Sequence, residues 1–193
     1  MKKKFLLSSI FAVLPLFGCD SSIPPLPACR TAQPDSPGEA AGCLIYADDE
    51  VLLIGHRLSG RLDVPGGGRN AGETLPCTAH RETFEETGLN VFVGERVGST
   101  DNGMVLYACV AADDLAVLPA RFSPPPWAQT EVSHLEKTRL FTLDDDALRF
   151  KDDLIPLRDA FIRATTRTPA RPETHNQTPA SRGNDVNSEG VMQ

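Results

Sequence analysis

An α/β domain is the fold class this sequence predicts. Three observations carry the prediction: short apolar runs rich in β-forming residues recur along the middle of the chain, turn residues separate them, and two longer stretches read as helices. Residues 43–46 (Cys-Leu-Ile-Tyr) and 51–54 (Val-Leu-Leu-Ile) are two such runs, divided by the turn signal Asp48-Asp49. The first helix is predicted over residues 75–87, because Thr74 can cap it, its first turn tolerates Pro76, and Gly88 stands where a left-handed residue would end it. Strands follow at residues 91–93 and 104–111, the second entered through Asp101-Asn102-Gly103. A strand near residues 135–143 and a helix over residues 153–164 complete the series. No internal repeat is visible, and roughly 120 residues are enough for one core.

The first helix carries the chemistry. Glu82, Glu85 and Glu86 stand at i, i+3 and i+4, which puts three carboxylates on one face within about 6 Å of one another. Like charges so placed cost an isolated helix roughly 0.2–0.5 kcal/mol per pair, so a cation is expected there. Clustered carboxylate oxygens are the hard ligands that Mg²⁺ and Mn²⁺ prefer, and Mg²⁺ commonly combines one or two carboxylates with waters and substrate phosphate oxygens. Upstream, Pro65-Gly66-Gly67-Gly68 supplies a backbone that can approach a metal or substrate closely, with carbonyls free to ligate. Arg81, beside the cluster, can hold carboxylates in a fixed fork.

Residues 67–89, GGRNAGETLPCTAHRETFEETGL, resemble the Nudix box, G-x5-E-x7-R-E-U-x-E-E-x-G-U, where U is a bulky apolar residue. Gly67, Glu73, Arg81, Glu82, Glu85, Glu86, Gly88 and Leu89 match it. At average residue usage the fixed positions would coincide by chance on the order of 10⁻⁸ times per start position. Thr83 departs from the pattern, which has an apolar residue there; it lies about 100° from the carboxylate face, so the departure bears on helix packing rather than on metal binding. The resemblance implies an α/β/α sandwich around a mixed β-sheet, spanning residues 40–163. It also implies a reaction in which water attacks a phosphorus of a diphosphate while bound Mg²⁺ or Mn²⁺ neutralises the developing charge. Glu82, Glu85, Glu86 and the Gly66 carbonyl would then ligate metal, Glu82 doubling as a candidate base, with Glu73 and Arg81 orienting the others.

Further site residues follow from the same resemblance. Many family members borrow one more acid from a later loop, and Glu131, beyond Pro124-Pro125-Pro126-Trp127, is the candidate here. His56 and Arg57, at a strand end just before the box, are candidate phosphate contacts. Trp127 either stacks on a base or packs. Tyr107 lies at a spacing similar to that of a tyrosine in dinucleoside-polyphosphate hydrolases, but its place inside an apolar strand favours the core. Met104 stands where ADP-ribose hydrolases tend to have proline, so that subclass gains no support.

The ends of the chain concern location. Residues 1–18 read as a signal peptide, with a basic start at Lys2-Lys3-Lys4 and a 13-residue apolar stretch over residues 5–17, too short to span a membrane. Leu16-Phe17-Gly18-Cys19 resembles the lipobox of bacterial lipoproteins, in which the cysteine is lipidated; Phe17 departs from its usual small residue. Asp20, next to Cys19, resembles an inner-membrane retention signal. Residues 19–39 are expected to be a lipidated cysteine and an extended, proline-rich linker, and residues 164–193, rich in Thr, Pro, Asn, Ser and Gly, a disordered tail. These features predict an exported protein on the periplasmic side of the inner membrane, tethered by a lipid anchor.

Cysteine and charge agree with that reading. Cys29, Cys43, Cys77 and Cys109 allow three disulfide pairings among which sequence does not choose, and Cys43 and Cys109 also fit as small buried hydrophobes. Without Lys2, Lys3 and Lys4, 16 basic residues face 26 acidic ones, a net −10 that repels nucleic-acid polymers. A small phosphorylated substrate is still accommodated, because bound metal carries the local positive charge. Two function classes fit: a tethered pyrophosphohydrolase, and a non-catalytic sensor of a diphosphate ligand at the envelope. The intact acidic set favours the first.

Overall fold

Period-two alternation along the strands sorts side chains onto the two faces of one sheet. In the computed structural model, which describes residues 22–112 and 115–166, strands β1 (Ala40–Ala47), β2 (Glu50–His56) and β6 (Val105–Ala111) are its centre. Ala41, Cys43 and Ile45 of β1, Leu52 and Ile54 of β2, and Val105, Tyr107 and Cys109 of β6 point to one buried cluster; Leu44, Val51, Leu53 and Leu106 point to another. Helix α1 (Leu75–Thr87) covers the first cluster through Leu75 and Ala79. Helix α2 (Leu154–Thr166) covers the second through Leu157, Ala160 and Phe161. The result is an α/β/α sandwich.

The remaining strands are β3 (Leu62–Asp63), β4 (Gly66–Gly68), β5 (Val91–Ser99), β7 (Arg121–Phe122) and β8 (Val132–Thr138). The sheet order is β5-β6-β1-β2-β8-β7, with β4 paired to β1 and β3 to β2. It is mixed: β1 runs parallel to β6 and antiparallel to β2 and β4. The strand expected over residues 135–143 lies over Val132–Thr138 instead, and Leu140–Thr142 turns as 3₁₀ so that Leu140 is buried in the α2-side cluster.

The signal peptide, Cys19 and Asp20 lie outside the described residues, as does the expected tail from residue 167 on; residues 164–166 are the last turn of α2. The proline-rich linker needs correction. Its second half is strapped to the domain: the Val93 amide donates to the Arg30 carbonyl at 2.8 Å, the Thr31 hydroxyl to the Val93 carbonyl at 2.9 Å, and Ser36 Oγ pairs with the buried Tyr107 hydroxyl at 2.8 Å. A disulfide joins Cys29 to Cys77 on α1, and a second joins Cys43 to Cys109 across the parallel strands. Closing 48 residues of chain with the first restricts the unfolded state by about 4 kcal/mol in the chain-entropy account. Tyr107 is therefore a core residue whose hydroxyl anchors the strap.

Helix α1 ends at Gly88 in the left-handed conformation (φ 75°), whose amide donates to the Phe84 carbonyl. Its start departs from expectation. Thr74 occupies the cap position but its side chain makes no capping bond; Asp35, from the strap, accepts from the Leu75 amide at 2.8 Å. Thr83, the departure from the box, is wholly buried, and its hydroxyl has no partner among the described residues. Thr83→Val removes that orphan at constant shape and should raise stability by about 1 kcal/mol, read as a higher urea midpoint at unchanged slope. A lower midpoint would mean the hydroxyl has a partner.

Candidate acidic site on helix α1

One guanidinium organises the site. Arg81 Nε and Nη2 grip the Glu73 carboxylate at 2.9 and 3.0 Å, and Nη1 reaches Glu82 at 2.7 Å and Glu85 at 2.9 Å. Nη2 also donates to the Gly68 carbonyl at 2.8 Å, tying the helix to β4. Glu73 is completed by the Thr78 hydroxyl and the Asn70 amide. Burial pushes the Glu73 carboxyl up, but the bonds from Arg81, Asn70 and Thr78 outweigh it and hold the group below the usual range. Burial alone would lower the Arg81 pKa, and its carboxylate partners instead drive it well up.

Glu86 is different. Among the described residues it forms no salt bridge, and its Oε2 accepts from the Gly66 amide at 2.8 Å. Burial raises its pKa well above the usual carboxylate range, and the charges of Glu82, Asp63 and Glu131 raise it further. Glu82 is also raised, by burial first, with Arg81 pulling the other way. The glycines shape this cluster. A Cβ on Gly67 would meet the Glu82 carboxylate at 2.5 Å, and one on Gly66 would meet the β1 backbone at 2.6 Å, so only glycine lets β4 lie between helix and strand.

The structure thus gathers Glu73, Arg81, Glu82 and Glu85 in one network, with Glu86 and the Gly66 amide beside it. Glu131 is exposed but close enough to act on Glu86. Arg57 docks on the same loop, its amide on the Glu131 carbonyl at 2.7 Å and its Nη2 on the Val132 carbonyl at 3.2 Å. His56 is not drawn in; its ring faces Ser59 Oγ at 3.4 Å. Trp127 packs: it stacks on Phe84, and its Nε1 donates to the Glu85 carbonyl at 3.0 Å. Of the carbonyls expected to be free, Pro65 accepts from the Cys43 amide and Gly68 from Arg81.

The three helix carboxylates do not converge on one point. Among the described residues no three His, Cys, Asp or Glu side chains are grouped to hold an ion, because Arg81 draws Glu82 and Glu85 to itself. The donor set nevertheless fits a divalent cation. Glu86 is a buried carboxylate ringed by anions, Glu82 lies against a bare glycine backbone, and Mg²⁺ needs only one or two carboxylates beyond water and phosphate oxygens.

Sequence reasoning missed Asp63. It sits on β3 opposite Ile54, accepts from the Val64 amide, lies 3.8 Å from Arg149, and is raised to about 6, first by burial and, after offsets from Val64 and Arg149, by Asp153. No motif marks it; a lone acid in a two-residue strand has no local signature. Its folded pKa lies above its unfolded value near 3.8, so the stability it contributes is complete below about pH 4 and is lost as pH rises through about 6. In chelator, Asp63→Asn should therefore stabilise the protein by about 2 kcal/mol at pH 7.5 and change little at pH 4, in paired urea titrations. An equal effect at both pH values would place the benefit elsewhere.

Comparisons with known proteins bear on the family and the fold. The NUDIX domain family model matches residues 36–156. Over 74 residues the chain is 38% identical to diphosphoinositol polyphosphate phosphohydrolase 3-beta of Bos taurus, an alignment covering 36% of this chain and 45% of that protein, so it spans less than half of this curated relative. Among solved structures, an ADP-ribose pyrophosphatase from Streptococcus suis shares the fold at a TM-score of 0.53 and 19% identity, covering 69% of this chain and 94% of that one. A NUDIX hydrolase from Nitrosomonas europaea does so at 0.53 and 20%, covering 70% and 77%. A UDP-X diphosphatase matches at 0.53 and 15%, covering 70% and 66%. The family match takes in β1 through the start of α2, with every residue of the acidic network inside it: the chain belongs to the Nudix hydrolase family.

Proposed function

We propose that this protein is an exported, membrane-tethered Nudix hydrolase that cleaves the phosphoanhydride bond of a nucleoside-diphosphate derivative or a related diphosphate. The observation that carries the reading is Glu86, a buried carboxylate beside the acids Glu82, Asp63 and Glu131 that accepts from the Gly66 amide and, among the described residues, forms no salt bridge. Glu82, Glu85, Glu86 and the Gly66 carbonyl are the residues that would hold Mg²⁺ or Mn²⁺. When bound, the ion supplies charge neutralisation at the phosphate oxygens and acidifies water.

The chain's own groups do the rest. Arg81 keeps one oxygen each of Glu82 and Glu85 in fixed positions, leaving the other oxygen of each carboxylate available. Glu82, with its raised pKa, is suited to take a proton from the attacking water. Arg57, held on the Glu131 loop, would meet a phosphate there, with Glu131 adding to the acidic wall. The names of the three relatives given above as a phosphohydrolase, a pyrophosphatase and a diphosphatase support a diphosphate substrate.

Export is supported by the sequence of residues 1–19 and by the two disulfides, since such bonds persist in oxidising compartments. Glu86→Gln preserves size and the acceptor for Gly66, yet removes the charge. Turnover of nucleoside-diphosphate derivatives or prenyl diphosphates with Mg²⁺ or Mn²⁺ should fall by about two decades or more while the fold survives. Activity within threefold of the parent would sink the catalytic assignment, and a parent that binds these compounds without turnover would favour the envelope sensor. For location, Cys19→Ala should move the protein out of the membrane fraction, into the periplasmic pool or an unprocessed precursor. Parent protein found in the cytoplasm with residues 1–18 attached would refute export.

A further inference from the structure

The loop carrying Glu73 runs from Arg69 at the end of β4 to Leu75 at the start of α1, and a single side chain spans its two ends. Asp35 Oδ1 accepts from the Leu75 amide at 2.8 Å, and Oδ2 accepts from Arg69 Nη2 at 2.6 Å. Arg69 passes the contact on: its Nε donates to the Glu73 carbonyl at 2.6 Å. Glu73 then holds Arg81, which holds Glu82 and Glu85. The distance in sequence is long, but only two residues, Arg69 and Glu73, separate Asp35 from the guanidinium at the centre of the site.

Asp35 precedes residues 36–156, so its role is not supplied by the family match. It reaches the loop because the strap is fixed on both sides: by Cys29–Cys77 and the Thr31–Val93 bridge before it, and by the Ser36–Tyr107 hydroxyl pair after it. Cys29 is exposed and Cys77 half-buried, whereas Cys43 and Cys109 are sealed in the core. We propose that Asp35 is a positioning residue for the acidic site, closing the Glu73 loop so that Glu73 meets Arg81, and that the Cys29–Cys77 bond holds Asp35 there. The inference rests on the hydrolase reading for its catalytic consequence, though not for its effect on the acidic cluster.

Two variants separate positioning from simple helix capping. Asp35→Ala loses both contacts; Asp35→Asn keeps an acceptor for Leu75 and loses the charged contact to Arg69. In the full chain, at a temperature where near-ultraviolet circular dichroism reports every variant folded, Mn²⁺ affinity by calorimetric titration should fall roughly tenfold in Asp35→Ala. Asp35→Asn should recover most of the melting temperature but not the affinity, and kcat should fall in both with KM little changed. A Cys29→Ser/Cys77→Ser double variant should lose Mn²⁺ affinity in the same direction. Parental Mn²⁺ affinity in Asp35→Ala, or full recovery in Asp35→Asn, would overturn the proposal and leave Asp35 a helix cap. A parent that turns over no diphosphate would refute the hydrolase reading, while a drop in Mn²⁺ affinity on Asp35→Ala would still support the positioning role.

Discussion

The fold and the site both hinge on one guanidinium set among three carboxylates. Glu82, Glu85 and Glu86 on adjacent helical positions repel one another, and the helix gains nothing intrinsic from carrying them. Arg81 offsets that by taking Glu82 and Glu85 with one nitrogen and closing a fork on Glu73 with the other two. Because Glu73 belongs to the loop before the helix and Gly68 to the strand before that loop, the same group fixes the approach of β4 to α1. Lysine would not substitute, since a point charge cannot present a planar fork to Glu73 while reaching two further carboxylates. Side chains of Arg81 and Glu73 are each largely shielded from solvent, so these bonds form where screening is weak.

Packing explains why Glu86 meets a backbone amide rather than Arg81. Glu86 faces the glycine strand β4, where Gly66 approaches the β1 backbone too closely for any side chain. That approach puts an amide, not a charge, against the carboxylate. A protein selected only for stability would replace a buried, anion-ringed glutamate with an apolar residue of similar volume. Stability alone therefore does not account for a glutamate at this position beside Glu82.

Legibility in the sequence followed the range of the interactions. Helix α1, its Gly88 terminus, the central strands and the Arg81 network rest on contacts a few residues apart or on a strict period, and each leaves a local pattern. Glu131 and Arg57 come together through backbone pairing between β2 and the approach to β8, which no spacing encodes. Asp63 and Asp35 have no pattern at all: one is a lone acid in a two-residue strand, the other an aspartate between prolines. Composition misdirected the reading of the strap, because proline excludes helix and central strand yet says nothing against a segment pinned by a disulfide and side-chain bonds. The cysteine count left the pairing open, and only the parallel register of β1 on β6 brings Cys43 to Cys109.

The two disulfides differ in what depends on them. Cys43 and Cys109 lie among Ala79, Ile45 and Tyr107, and as thiols they would remain small apolar residues in a filled core. Cys29 has no such burial; without its bond to Cys77, the strap is held by hydrogen bonds such as the Thr31–Val93 bridge, the Thr31 hydroxyl to the Val93 carbonyl, the Ser36–Tyr107 hydroxyl pair and the Asp35 contacts themselves. These are individually worth about 1 kcal/mol each, against about 4 kcal/mol for closing the loop. Of the two disulfides, Cys29–Cys77 is the one whose loss would loosen the strap, and the contacts from the strap lead by way of Asp35, Arg69 and Glu73 to the arginine that arranges the acidic site.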